Sequence, residues 1–260
     1  MAERLPLVKL QPERILDWSG PLGGSTLLLR TAYRKARLLQ VQPDDAPAAT
    51  GETRRLWPMR RFARGGVETL ALDSVGAGQS DLVWSNMALH AQAQPAAQFA
   101  AWHRALSPGG FLMFSTLGPG TLPEIRALYR DRAWGPPMAD LIDMHDLGDA
   151  LLGAGFSDPV MDQETLTLSW ADAEGLLAEL RSWGANLSPQ RRTGLCGRHW
   201  RGELCRELSS RSSHGRPVLS VELVYGHAFR ESTPPGRTGE VRIPLAEVRG
   251  RLHRVGRSKA

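Results

Sequence analysis

Short apolar runs alternate with helix-like segments through the first 116 residues, and few folds accommodate that alternation. Arg14-Ile-Leu-Asp17 lies between a charged segment and a glycine-rich turn, the pattern of a short buried strand. Residues 25–35 open on Ser-Thr, carry apolar repeats and end on basic residues, which predicts a helix. Arg37–Val41 reads as a second strand, 67–72 as a third and Asp81–Trp84 as a fourth. Residues 43–66 hold little pattern, with room for a helix over 48–63. Residues 95–106 form an amphipathic helix with Pro at its start. Ser107-Pro-Gly-Gly110 then turns the chain into a fifth strand, 111–116. Strands joined by helices require right-handed crossovers and a mostly parallel sheet. The expected fold is therefore α/β, a doubly wound, Rossmann-like sheet of about seven strands.

The second half changes character. Helices are predicted over 120–133 and 144–154, a helical insertion between the fifth and sixth strands. A strand over 158–169 follows, then helices at 172–183 and 197–209. Leu219–His227 is the last strand, and its alternation suits a sheet edge or an antiparallel partner. The domain reading is one unit over 1–230, with its insertion around 120–154 and further helices around 172–209, and a basic extension over 231–260.

A length of 260 residues suits one large domain. No run approaches the roughly 20 apolar residues that cross a bilayer, so no membrane association is expected. The opening residues MAERLPLVKLQPERI lack an apolar signal core, which implies cytoplasmic residence. Cys196 and Cys205 match no metal spacing, and no metal site is expected. The net charge is +5, and residues 231–260 hold seven Lys or Arg against three Glu. Such a balance favours acidic partners. Without a recognition motif carrying base-stacking aromatics, nucleic acid is not expected among them.

In a doubly wound sheet, ligands bind beyond the carboxyl ends of the strands. The first strand ends at Asp17, and Trp18-Ser-Gly-Pro-Leu-Gly-Gly24 leads into a helix whose N-terminal N–H groups face that space. Four segments then occur in order: DLVWSNMALH (81–90), LSPGGFLMFSTLGPGTLPEIRALY (106–129), DMHDLGDALLGAGFSDPVMD (143–162) and VELVYGHAF (221–229). Together they resemble the class I S-adenosylmethionine-dependent methyltransferases that methylate the free carboxyl of malonyl-carrier protein in biotin synthesis. The resemblance covers roughly residues 67–230. The strand–Asn–helix–PGG–strand portion is shared by many class I methyltransferases, whereas GPGTL and DMHDLGDALL are narrower.

The resemblance implies S-adenosylmethionine as cofactor, an acidic acyl-carrier protein loaded with malonate as partner, and a last strand inserted antiparallel between the fifth and sixth. It implies cofactor contacts from Asp17, Gly20, Gly23, Gln42, Asp73, Ser74 and Asn86. The first third departs from the pattern. Pro21 and Leu22 interrupt the glycine loop, and Gln42 stands where an acid would bind the ribose, with Asp44 or Asp45 as substitutes.

Methylating a carboxylate needs an ionised nucleophile brought into line, so no catalytic residue is expected. Placing that carboxylate needs cationic or hydrogen-bonding groups, for which His145, Arg191, Arg192 and Arg198 are the candidates. Each arginine also reads as a solvated surface charge, and His145 as a helix-start residue. Arg126, Arg130 and Arg132 join the arginines as candidates for steering a carrier. The altered loop leaves two readings open: a methyltransferase with a modified cofactor site, or a methyltransferase fold without activity that serves as a binding or assembly factor.

Overall fold

The computed structural model describes residues 1–18, 24–42, 67–211 and 215–232. Seven strands form one sheet: β1 (Arg14–Asp17), β2 (Arg37–Gln42), β3 (Glu68–Ala71), β4 (Ser80–Asn86), β5 (Leu106–Leu117), β6 (Ser157–Ser169) and β7 (Val218–Phe229). Their order is β3-β2-β1-β4-β5-β7-β6. β1 to β5 run parallel, and β7 enters antiparallel to both β5 and β6, as expected.

The apolar runs sort by parity, as a sheet covered on both faces requires. Ile15, Leu38, Leu82, Trp84, Phe111 and Met113 face one layer, with Leu29 and Tyr33. Leu29 belongs to α1 (Thr26–Ala32). Leu16, Leu39, Val83, Leu112 and Phe114 face the other, under Phe99, Trp102, Leu147 and Leu151. Phe99 and Trp102 lie on α2 (Pro95–Ala105); Leu147 and Leu151 lie on α4 (Met144–Gly153). Burying an apolar side chain of this size contributes roughly 1.5–3 kcal/mol, so the pairing of the buried strands β1, β4 and β5 rests on several such contributions. A third cluster packs α3 (Pro123–Asp131), α5 (Ala173–Ser182) and α6 (Arg198–Ser210) through Ile125, Leu128, Leu176, Leu204 and Leu208.

Several boundaries differ from the sequence expectation. Residues 25–35 yield a helix only over Thr26–Ala32, because a turn at Arg34-Lys35 must return the chain to β2. The fifth strand begins at Leu106 rather than 111, with the Ser-Pro-Gly-Gly residues absorbed in a register shift against β4. The helix expected from 120 begins at Pro123, since the backbone before it is tied to β7: Gly118 donates to Glu222 O and Leu122 to Ser220 O. The helix expected over 48–63 and most of the basic segment 231–260 lie outside the described residues.

The outer strand β6 is protected by charge and by a bulge near its start. There Arg4 pairs with Asp162 and stacks 3.9 Å over the Tyr225 ring. Burial and the bond to Glu164 together push the Tyr225 hydroxyl up to about 12.

Candidate functional site

The strand order reverses between β1 and β4, where a doubly wound sheet opens a crevice. Asp17 ends β1 in a fully buried position. The Gln40 side-chain amide, on the neighbouring strand, donates to Asp17 Oδ2 at 3.3 Å and to Thr26 Oγ1 at 2.8 Å. Trp84 Nε1 donates to Ser25 Oγ at 2.8 Å, fixing the start of α1 beneath the crevice. Gly24, at φ +62°, closes the glycine loop in a conformation that favours glycine. Gly20 and Gly23 lie outside the described residues, and Gln42 is placed only as the last residue of β2.

Beyond β3 and β4 lies a cavity of about 570 Å³ whose walls include Trp18, Leu72, Asp73, Gln94, Gln98 and Ala101. That volume falls within the range of small-molecule sites, roughly 300–1,000 Å³. Trp18 turns beneath α2, edge-on to Trp102 with ring centroids 6.2 Å apart, and so lines the cavity without filling it. Between the indoles sits the Gln98 amide; because an indole N–H can only donate, the amide oxygen is assigned to face them, 3.2 Å from Trp18 Nε1 and 2.8 Å from Trp102 Nε1. Asp73 reaches the cavity from a single 3-10 turn, Leu72–Ser74; Ser74 shares that turn but not the cavity wall.

Asn86 ends β4 and accepts from Ser115 Oγ at 2.8 Å on β5. Next to it, Ser85 is fully buried and its hydroxyl has no hydrogen-bond partner among the described residues. A buried orphan of this kind costs about 1–3 kcal/mol. His90, on the turn Leu89–Ala91 after β4, is pushed below its ordinary pKa by burial, which keeps it neutral at pH 7.

On the β7 side, Glu222 is buried and accepts from the Gly120 N–H. Thr121 Oγ1 donates to Glu222 O at 3.1 Å. A Cβ on Gly118 or Gly120 would overlap the Glu222 carboxylate, which explains two glycines in GPGTL. Glu124 takes the Ser220 N–H at 3.0 Å and hydroxyl at 2.7 Å, locking the start of α3 to β7.

The candidate substrate residues stand apart from the cavity walls. His145 lies in the first turn of α4, its Nδ1 and backbone N–H both at Asp143 Oδ1, at 2.7 and 2.8 Å. Arg191 and Arg192 are exposed in the loop between α5 and α6, and Arg198 begins α6. Asn186 Nδ2 donates to Pro136 O at 2.8 Å and anchors that loop to the α3–α4 connection. Two further arginines are internally committed. Arg126 bonds Thr121 O and pairs with Asp140, and Arg132 pairs with Glu203 and Glu207.

Sequence reading passed over Gln98, Ser85 and Glu222. Gln98 carried a usable signal, a lone amide four residues before Trp102 on a helix face that buries Phe99, Trp102 and Ala105.

The crevice, the cavity and the antiparallel seventh strand define a methyltransferase-type fold, and comparison with known proteins agrees. Residues 19–114 match the family described as methyltransferase domain. Two solved structures share the fold at a TM-score of 0.54. One is a Bacillus halodurans protein assigned as a methyltransferase, 15% identical, with 88% of this chain and 98% of that one covered. The other is the Bacillus subtilis YcgJ protein, 11% identical, with 85% and 93% covered. Among curated relatives, the malonyl-(acyl-carrier protein) O-methyltransferase of Gallionella capsiferriformans is 35% identical over 92% of this chain and 84% of its own. That of Laribacter hongkongensis is 36% identical over 91% and 82%. The chain belongs to the malonyl-(acyl-carrier protein) O-methyltransferase family.

Proposed function

We propose that this chain transfers a methyl group from S-adenosylmethionine to the free carboxyl of a malonyl group carried on acyl-carrier protein. The observation that carries the reading is the open cavity at the carboxyl ends of β1, β3 and β4, in a chain of this family. The donor set fits the cofactor. Asp73 offers an acceptor for the adenine amine, and Ser74 follows it on the same turn. Asp17, Gly20, Gly23 and Asn86 serve the amino-acid end, and Gln42 a ribose hydroxyl.

When bound, the sulfonium supplies an electrophilic methyl group. The chain's own task is to align and partly dehydrate a carboxylate that is already ionised at neutral pH, so no general base is required. Arg191, Arg192 and Arg198 supply charge that draws the malonyl-loaded carrier to the site, and His145 keeps Nε2 for a hydrogen bond to the carboxylate.

The carrier approaches the loop between α5 and α6. Beside its arginines this loop exposes Trp183, Leu187 and Leu195, a mix of cationic and apolar side chains suited to an acidic protein. Arg198 sits at a helix N-terminus, where the dipole disfavours a cation, so its charge is better explained by a partner than by helix stability. Arg130 remains in the steering set, since its side chain is largely exposed, whereas Arg126 and Arg132 leave it because their charges are used internally. We treat residues 1–230 as the methyltransferase domain, with 231–260 as a basic extension. Among the described residues, no helix is long and apolar enough to cross a membrane. We assign the chain to the cytoplasm.

The test is product formation. Purified protein, methyl donor and malonyl-carrier protein should yield the methyl ester by intact-protein mass spectrometry. Charge reversal of Arg191 and Arg192 should lower the yield. Carrier binding without ester would overturn the enzymatic reading in favour of an inactive scaffold.

A further inference from the structure

We infer that Gln98 is the purine-reading donor of the cavity, held in a fixed orientation by two tryptophans so that its NH2 group addresses a ring nitrogen of the adenine. The inference deepens the methyl-donor reading and rests on it. An indole N–H can only donate, so two of them converging on one side-chain amide must meet its oxygen and not its nitrogen. That is the arrangement here, with Trp18 Nε1 at 3.2 Å and Trp102 Nε1 at 2.8 Å from the Gln98 carbonyl oxygen. Both tryptophans are buried, Trp102 completely, so neither indole can turn to water for an alternative. The amide therefore cannot flip without leaving two buried donors against two more donors.

The fixed oxygen turns the NH2 group, with its two hydrogens, to the opposite side of the amide. Gln98 also forms part of the cavity wall, as does Asp73. One wall thus carries an acceptor-only carboxylate and another a donor-only amide nitrogen. A 6-aminopurine has the complementary pair, an exocyclic amine that donates and ring nitrogens that accept. Trp18, the residue that follows the β1 acid, thereby sets the polarity of a donor on α2, 80 positions along the chain.

The inference can be tested by calorimetric titration of the full chain at pH 8 with S-adenosylhomocysteine and with analogues in which N1, N3 or N7 is replaced by CH. One of the three should bind the wild-type protein about tenfold more weakly, the loss of one hydrogen bond. Gln98→Glu keeps an oxygen for the indoles and removes the NH2 group. It should bind S-adenosylhomocysteine about tenfold more weakly, and should no longer discriminate against that same analogue. Near-ultraviolet circular dichroism of the tryptophans should be unchanged in Gln98→Glu. If it changes, Gln98→Met gives a second measurement of the same discrimination. Wild-type protein that binds S-adenosylhomocysteine but holds all three analogues within about twofold overturns the inference alone. A penalty that persists in the Gln98 variants does the same. Wild-type protein that binds no S-adenosylhomocysteine overturns the methyl-donor reading and the inference with it.

Discussion

The cavity beneath α2 and the arginine loop before α6 serve one proposed reaction but are built on opposite physical terms. In the cavity, the wall consists of side chains held by buried neighbours: Gln98 by two indoles, Trp18 by Trp102. The loop offers exposed charge and exposed leucine, with Arg192 and Arg198 in no ion pair among the described residues. Buried hydrogen bonds act in a low dielectric and are insensitive to salt. Exposed charges are screened over about 8 Å at physiological ionic strength. A small ligand of constant shape rewards the first arrangement. A carrier protein that must dock, react and leave rewards the second.

The comparison is most severely tested by truncating each region. Trp102→Ala should cost about 3–5 kcal/mol, lowering the melting temperature by roughly 10 °C in calorimetry. Leu195→Ala, at a fully exposed position of the loop, should stay within about 0.5 kcal/mol of wild type. Equal losses at the two sites would mean that the loop is packed as the cavity is.

Asp73→Asn should weaken S-adenosylhomocysteine binding by about tenfold, because the charge-assisted acceptor becomes a neutral amide. Titrations at about 0.05 and 0.5 M salt should give nearly the same ratio if the cavity is shielded from bulk ions.

The reverse holds for the loop. Arg191→Glu with Arg192→Glu should raise KM for the carrier about three- to tenfold at low salt and leave kcat nearly unchanged. By about 0.5 M salt the two proteins should converge. A difference that survives high salt would place these arginines against the substrate carboxylate rather than the carrier surface.

The smallest effect concerns the other end of β4. Burial pushes the Asp81 carboxyl up, but bonds from Arg14 and Ser107 pull it below its ordinary value. The sign follows from that depression: the stabilisation is present above about pH 4 and is lost as pH falls toward the lowered value. Denaturant titrations should therefore show Asp81→Asn about 1 kcal/mol less stable than wild type at pH 7, with the gap narrowing in acid. A gap that is constant with pH would assign the effect to packing.

Much of the scaffold was legible because strand parity and helix spacing are local properties. Asp17 and Asn86 could be placed at strand ends from the order of the elements alone, since a doubly wound sheet puts its ligand there. The antiparallel seventh strand followed from the family resemblance. The Glu222–Gly120 bond was not legible, because it joins residues 102 positions apart and GPGTL reads locally as a turn. Nor could the arginines be separated by inspection. Arg132 and Arg198 look alike in a sequence, yet one is held by Glu203 and Glu207 and the other begins a helix.

By itself, then, the sequence determined which segments become strands and helices and that the first five strands run parallel. Periodicity and turn chemistry act over a few residues, and a topology rule does the rest. Tertiary structure alone decided which polar groups keep an unused hydrogen bond. Gln98 became a donor because Trp18 and Trp102 consumed its oxygen. Arg132 was silenced because α6 brought two carboxylates to it. A side chain's chemical type is written locally, but its remaining valence is set by whatever the fold packs against it.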